Sequence, residues 1–237
     1  MKQPRLTIDE VILLVNTYFC IKNTKNEKVK KEYAIELSNN MKKLPIHDFD
    51  VSDLTFRSID GMNMLLLNIA SFDKDCSSYL RNSSALQEKI YNKFENNIEI
   101  LKGIAKSIIS VCNMPFEYRK YEETEFYGGN ILLQYHKYLE KTDKTIQQMR
   151  EAAISRNITT CQVCKRDLFD IYGDLGVALL EQHYSYPIYE YSAEMQILSS
   201  NVVNLCPACH KLAHSAVELF EENKMKDSLK DRGCGRV

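Results

Sequence analysis

The residues able to do chemistry crowd into the last third of the chain: Cys161-Gln-Val-Cys164, Glu181-Gln-His183-Tyr184, and Asn201-Val-Val-Asn-Leu-Cys206-Pro-Ala-Cys209-His210-Lys-Leu-Ala-His214. Two Cys-x-x-Cys pairs at this separation are a specific zinc signal. Each pair turns the chain so that two thiolates face one ion, and four thiolates, Cys161, Cys164, Cys206 and Cys209, complete a closed tetrahedral structural site. The string Cys206-Pro-Ala-Cys209-His210 also reads as a haem-attachment motif. Covalent haem attachment needs export, for which the sequence offers no signal, and it would leave the pair at 161 and 164 unexplained. His210 and His214 stand four apart just beyond the second pair, so a helix over 207–223 would set both imidazoles on one face. A short strand over 177–183 would offer His183 as a third ligand. Three protein ligands with positions left for water make a catalytic rather than a structural metal site.

The elements that must position these groups follow from periodicity. Thr7-Ile-Asp-Glu10 is a capping box, and Ile8, Val11, Ile12, Val15 and Phe19 recur at helical spacing, which predicts a helix over 8–22. The basic stretch 22–31 reads as a solvated loop or a phosphate-contacting segment, and a second helix follows over 31–43, ending before Pro45. Residues 62–72 are almost all apolar and read as a central buried helix. Ser83 or Ser84 caps a long amphipathic helix over 85–110. Residues 113–128 read as a connector ending at Gly128-Gly129, and a further helix is expected over 130–156. That helix carries His136, which reads as a structural or surface histidine rather than a catalytic one.

Composition bounds the class. The chain has 237 residues, 44% hydrophobic and 27% charged, with a net charge of −1, so any DNA contact must come from local basic clusters rather than overall charge. No apolar run approaches the roughly 18 residues of a membrane helix. Asp9 and Glu10 inside the first helix are foreign to a secretory signal, and a cytoplasmic protein is expected. Reduced cysteines then favour metal over disulfides. Cys20, Cys76 and Cys112 read as buried small apolar residues, and Cys234 falls in a polar tail.

The C-terminal motifs resemble the HNH, or ββα-metal, endonucleases, specifically the cysteine-bearing kind of bacterial restriction enzymes. The resemblance is carried by Cys161-Gln-Val-Cys164, Tyr172-Gly-Asp-Leu-Gly176, Leu180-Glu-Gln-His183, Pro187, Asn201 to Cys206, and Cys209-His210 with His214. A looser likeness extends to Glu125 through His136 and to Phe56-Arg-Ser-Ile-Asp-Gly61 with Asn68. By this resemblance His183, His210 and His214 would hold a catalytic divalent ion (Mg²⁺, Mn²⁺ or Zn²⁺), and Asn201 would brace the loop that orients the general base. The family reads Glu-x-His-His, and Tyr184 stands here where the second histidine activates water. A phenol with an ordinary pKa of about 10 is a poor base at neutral pH. A nearby metal would have to lower it, another group such as His136 or a metal-bound hydroxide would have to replace it, or the site binds without cutting efficiently.

The sequence therefore predicts an α+β protein. A helical recognition or dimerisation domain would occupy 1–145, and a small HNH-like domain with a four-cysteine zinc would occupy 146–237. The expected activity is metal-dependent cleavage of double-stranded DNA, including modified DNA, in a restriction or defence setting, and a homodimer would suit a symmetric target. Tyr184, Asn201 and His183 are the catalytic candidates. Lys165, Arg166, Lys211 and Arg57 are the candidate phosphate contacts, with the lysines of 25–31 beside them. Two alternatives stand beside this reading: a DNA-binding protein built on a weakened nuclease domain, and a zinc-ribbon RNA-processing factor.

Overall fold

A computed structural model describes residues 3–47, 53–77, 79–114, 116 and 126–231, and the chain divides into two compact units. The first comprises 1–122 with 129–131, the second 123–128 with 132–237. The second unit therefore begins ahead of the expected boundary at 145 and takes most of the helix that carries His136. The structure is mixed, mainly helical with one small antiparallel sheet, an α+β arrangement.

Helix α1 (Ile8–Ile21) is the centre of the first unit. Val11, Ile12, Leu14 and Val15 are fully buried, because α2 (Glu27–Lys43), α3 (Ile59–Ala70), α4 (Ala85–Phe94) and α5 (Ile98–Val111) all pack against it. The expected capping box forms, with Thr7 accepting from the Glu10 N–H and Glu10 accepting from the Thr7 N–H. Helix α2 starts earlier than periodicity suggested. Asn26 caps it through the N–H groups of Lys28 and Val29, which draws Lys28, Lys30 and Lys31 out of the expected loop and into the first turns. The helix expected over 85–110 is two helices, parted at Glu95–Asn97, where two asparagines, poor residues for a helix interior, interrupt it. Helix α3 is buried along one side only, with Met64 59% and Leu67 40% exposed. Cys20 is exposed and Cys76 and Cys112 are half-buried, unlike the core residues expected. Most of the expected connector and Cys234 lie outside the described residues.

Arg57 is the clearest correction in this unit. Expected on DNA, it is 5% exposed and donates from Nε to Glu10 Oε1 at 2.6 Å, from Nη2 to Glu10 Oε2 at 3.1 Å and from Nη1 to the Pro4 carbonyl at 3.1 Å. Its backbone sits at φ 45°, a left-handed conformation, and Ser38 donates to its carbonyl at 2.6 Å. A guanidinium engaged with a buried carboxylate cannot also reach a phosphate.

In the second unit α6 (Asn130–Thr142) and α7 (Lys144–Ser155) replace the one helix expected over 130–156. Asp143 parts them by accepting from the Thr145 N–H as the cap of α7. Helix α8 (Leu168–Tyr172) and a 3-10 turn (Gly173–Ala178) precede strand β1 (Glu181–Tyr184). Gly176 is required there, since a Cβ would collide with the Leu168 carbonyl. Strand β1 pairs antiparallel with β2 (Val202–Leu205) in the register His183 to Val203 and Tyr184 to Val202. Helix α9 (Pro207–Ala213) opens directly from β2, with proline in its first turn, and α10 (Glu222–Asp231) closes the described chain. The helix expected over 207–223 is thus interrupted after Ala213. Among the described residues no helix is long and apolar enough to cross a membrane.

Candidate metal centres

The four cysteines of the two pairs come together in the core of the second unit, packed with Val163, Leu168, Leu180, Val203, Leu205, Ala213 and Met225. Two local devices present them. The Cys206 sulfur accepts from the Cys209 N–H at the start of α9, and the backbone reverses after Cys164, with Lys165 at φ 62° and its N–H on the Cys161 carbonyl. The Sγ atoms of Cys164 and Cys206 are 3.8 Å apart. That is far beyond a disulfide bond and close to the roughly 3.8 Å edge of a tetrahedron with Zn–S bonds of about 2.3 Å. Hydrogen bonds from Cys206 and Cys209 push the Cys161 thiol below its ordinary range, and the same contacts push the Cys206 and Cys209 thiols above theirs. This four-cysteine cluster is compatible with a structural zinc.

A second cluster gathers four of the five histidines around one carboxylate that the sequence reading did not single out. Glu140, on α6, lies with Oε1 2.7 Å from His136 Nε2 and 2.9 Å from His183 Nδ1, and with Oε2 3.0 Å from His210 Nε2 and 3.3 Å from His214 Nε2. His136 and Glu140 share a face because they are four residues apart on α6. His183 is aimed inward by strand alternation. His210 and His214 bracket the last turns of α9, their ring centroids 4.4 Å apart. Donor atoms of His136, Glu140, His183 and His214 all lie within 4.8 Å of one another. The His-x-x-x-Glu spacing on an expected helix was the available signal for Glu140.

The electrostatics follow from burial. His136 is fully buried, which pushes its pKa down to about 3 against the pull of Glu140. Burial also lowers His214, with His210 and His183 adding to it and Glu140 opposing. Burial would lower His210 as well, but Glu140 and Glu181 outweigh it and hold its pKa above the ordinary value. Burial alone would raise Glu140, yet His136, His183 and His210 keep its carboxyl far below the usual carboxylate range.

Outer partners set which nitrogen turns inward. The His183 Nε2–H donates to the Phe220 carbonyl at 3.0 Å, and His136 Nδ1 is 2.6 Å from the Tyr191 hydroxyl. His210 Nδ1 is 2.6 Å from Glu181 Oε2. The Nε2 atoms of His136 and His214 are buried and, although close to Glu140, are not angled to hydrogen-bond with it. Buried imidazole nitrogens left unpaired, in His136 with the Tyr191 hydroxyl on the opposite ring atom, fit a metal that such nitrogens would ligate.

Tyr184 needs correction. Strand alternation sends its ring to the face of β1 opposite His183, where it is buried and stacks on Tyr186 with centroids 5.7 Å apart. Burial, then the neighbouring tyrosines and Asp143, push its pKa up to about 12, away from base chemistry. What it contributes to the cluster is its backbone N–H, 3.3 Å from Glu140 Oε1. Asn201 ends a 3-10 turn (Ser199–Asn201); its carbonyl accepts from the Ser185 N–H at 2.7 Å and its side chain from Ser200. Lys165, Arg166 and Lys211 are exposed. Lys165 and Arg166 line, with Lys226 and Lys230, a cavity of about 720 Å³ beside Cys164.

Comparison of the chain with protein-family models, curated proteins and solved structures finds no match.

Proposed function

We propose that this protein is a metal-dependent phosphodiesterase acting on double-stranded DNA, a restriction or defence endonuclease of the HNH kind. The observation that carries the reading is the convergence of His183, His210 and His214, from β1 and α9, on one partly open cluster in a unit that also holds four cysteines fit for zinc. A divalent ion at the histidines would polarise the scissile phosphodiester and stabilise the charge that develops on it and on the leaving 3′ oxygen. His210 sits on the accessible side, 16% exposed, with Glu181 fixing its ring. The exposed cations Lys165, Arg166 and Lys211 are the groups suited to hold the backbone on either side. The four-cysteine zinc would keep β2 and the start of α9 in register with the pair at 161 and 164.

The second reading, DNA binding without efficient cutting, draws on one observation: the tyrosine at the general-base position faces away from the cluster. Plasmid DNA incubated with the wild type and with His210→Ala, in Mg²⁺, Mn²⁺ or Zn²⁺, separates the two. Cleavage by the wild type that His210→Ala abolishes supports the nuclease. Equal background nicking by both proteins, with duplex binding retained, leaves the binding protein.

A further inference from the structure

The geometry points to a ligand set other than the one the nuclease resemblance carries over: His136, Glu140, His183 and His214 hold a single transition-metal ion, and His210 stands outside its shell. The assignment rests on reading the cluster as a metal centre. It adds two ligands from α6, removes one from α9 and restricts the ion.

Grouping is the first ground. One donor atom from each of the four residues falls within 4.8 Å of the other three, and His210 is not in that group. The four come from three elements, as a four-residue pair on α6, a strand residue on β1 and the residue that caps α9. The second ground is the state of the nitrogens. His136 Nε2 and His214 Nε2 are buried without a hydrogen-bond partner while 2.7 and 3.3 Å from Glu140. Buried polar atoms left unsatisfied are costly, and coordination would satisfy both. The His183 Nε2–H is taken up by the Phe220 carbonyl, which leaves Nδ1 facing Glu140. Outer hydrogen bonds of this kind orient metal-bound imidazoles.

His210 differs in kind. Carboxylates grip both of its nitrogens, Glu181 at 2.6 Å and Glu140 at 3.0 Å, and its outer partner Glu181 is 43% exposed. Its Nε2 meets both carboxylate oxygens of Glu140, at 3.2 and 3.0 Å, but lies outside the group of four mutually close donors. It is held beside the ion at the solvent edge, where a substrate would arrive.

Three imidazoles and one carboxylate make a borderline donor set. It suits Zn²⁺, Mn²⁺, Fe²⁺, Co²⁺ or Ni²⁺, whereas Mg²⁺ and Ca²⁺ take oxygen ligands. The expectation of Mg²⁺ as an equal candidate is thereby narrowed.

The test is metal content of the full chain, produced with excess Zn²⁺ or Co²⁺, desalted into Mg²⁺-containing buffer and measured by inductively coupled plasma mass spectrometry. The ion at the four cysteines serves as the internal control for folding. Two ions are expected in the wild type and in His210→Ala, and one in His136→Ala, Glu140→Ala and His214→Ala. A wild type holding one ion, or displacement of the second by Mg²⁺, overturns the assignment. Loss of the second ion from His210→Ala overturns it whatever the other variants do, as does its retention in Glu140→Ala. Should the α6 variants lose the cysteine-bound ion as well, Tyr191→Phe decides. An affinity for the second ion about 10–100-fold weaker by titration calorimetry supports the set, and an unchanged affinity overturns it. DNA cleavage is scored separately. The expected metal content without cleavage leaves the ligand set standing and removes the nuclease, while cleavage by a protein whose ion depends on His210 does the reverse.

Discussion

His183 and Glu140, 43 residues apart, meet at 2.9 Å between Nδ1 and Oε1, with the far nitrogen of the same imidazole held by the Phe220 carbonyl at 3.0 Å. A strand residue is thereby fixed on both sides, and the helix that supplies Glu140 also supplies His136. Around that contact the second unit gathers four histidines.

Replacing Tyr184 by phenylalanine should leave any DNA cleavage within about threefold of the wild type, whereas His183→Ala should lower it by about 100-fold or more, the range for losing a group that acts in the transition state. The reason is geometric: the Tyr184 phenol lies on the opposite face of β1 and only its backbone N–H meets Glu140. Initial cleavage rates at saturating metal check this. A Tyr184→Phe variant as dead as His183→Ala would return the phenol to the site.

Arg57→Ala should damage stability rather than DNA affinity. Removing one partner of a buried ion pair costs about 3–5 kcal/mol when the other charge is left unpaired; the fully buried Glu10 keeps His47 at 3.0 Å and the Thr7 N–H, so the loss should fall at or below the lower end of that range. Urea unfolding of the variant measures the loss. Duplex affinity of the folded variant should match the wild type, while Lys165→Ala should weaken it and flatten its salt dependence.

Cys206→Ser should cost one metal equivalent and lower the thermal midpoint. The four sulfurs occupy the core of the second unit, where binding energy of the ion becomes folding energy. A chelator should reproduce the effect in the wild type, read by circular dichroism. An unchanged midpoint in both would mean that this core does not depend on an ion.

Asp9 gives a pH dependence of defined sign. Complete burial raises its carboxyl to about 6, although it accepts from the Ile131 N–H at 3.0 Å. A raised pKa means the folded protein holds the proton more tightly than the unfolded chain. Its stabilising contribution is thus full below about pH 4 and lost as pH rises through 6, a difference on the order of 3 kcal/mol. Asp9→Asn keeps an acceptor without the charge, so its stability relative to the wild type should rise between about pH 4 and pH 7. Paired denaturation curves at several pH values test this, and a flat difference would refute it.

Much of the local structure was legible in the residues. The capping box at Thr7 and Glu10, the apolar stripe of α1 and the pairing of four cysteines by spacing each depend on neighbours within a few positions, where backbone geometry fixes what can meet. The same holds for His210 and His214, whose four-residue separation brings them together on one turn of helix. Helix ends were less legible: Asn26, Asn97 and Asp143 start or part helices because their side chains compete for backbone N–H groups or disfavour the helix interior, which periodicity does not register.

Tertiary structure decided the rest. Arg57 had the composition of a phosphate contact and became a buried partner of Glu10, because burial depends on what the other helices bring up against it. Tyr184 was placed by motif spacing and removed by the two-residue alternation of β1 once that strand had a buried face on each side. Glu140 carried no signal beyond sharing a helical face with His136, and His136 was weighed as a stand-in base rather than as a ligand. Only the packing of α6 against β1 and α9 turned that face toward His183, His210 and His214. A sequence can state which residues are able to bind a metal together, but the convergence of three separate elements on one point is set by long-range packing.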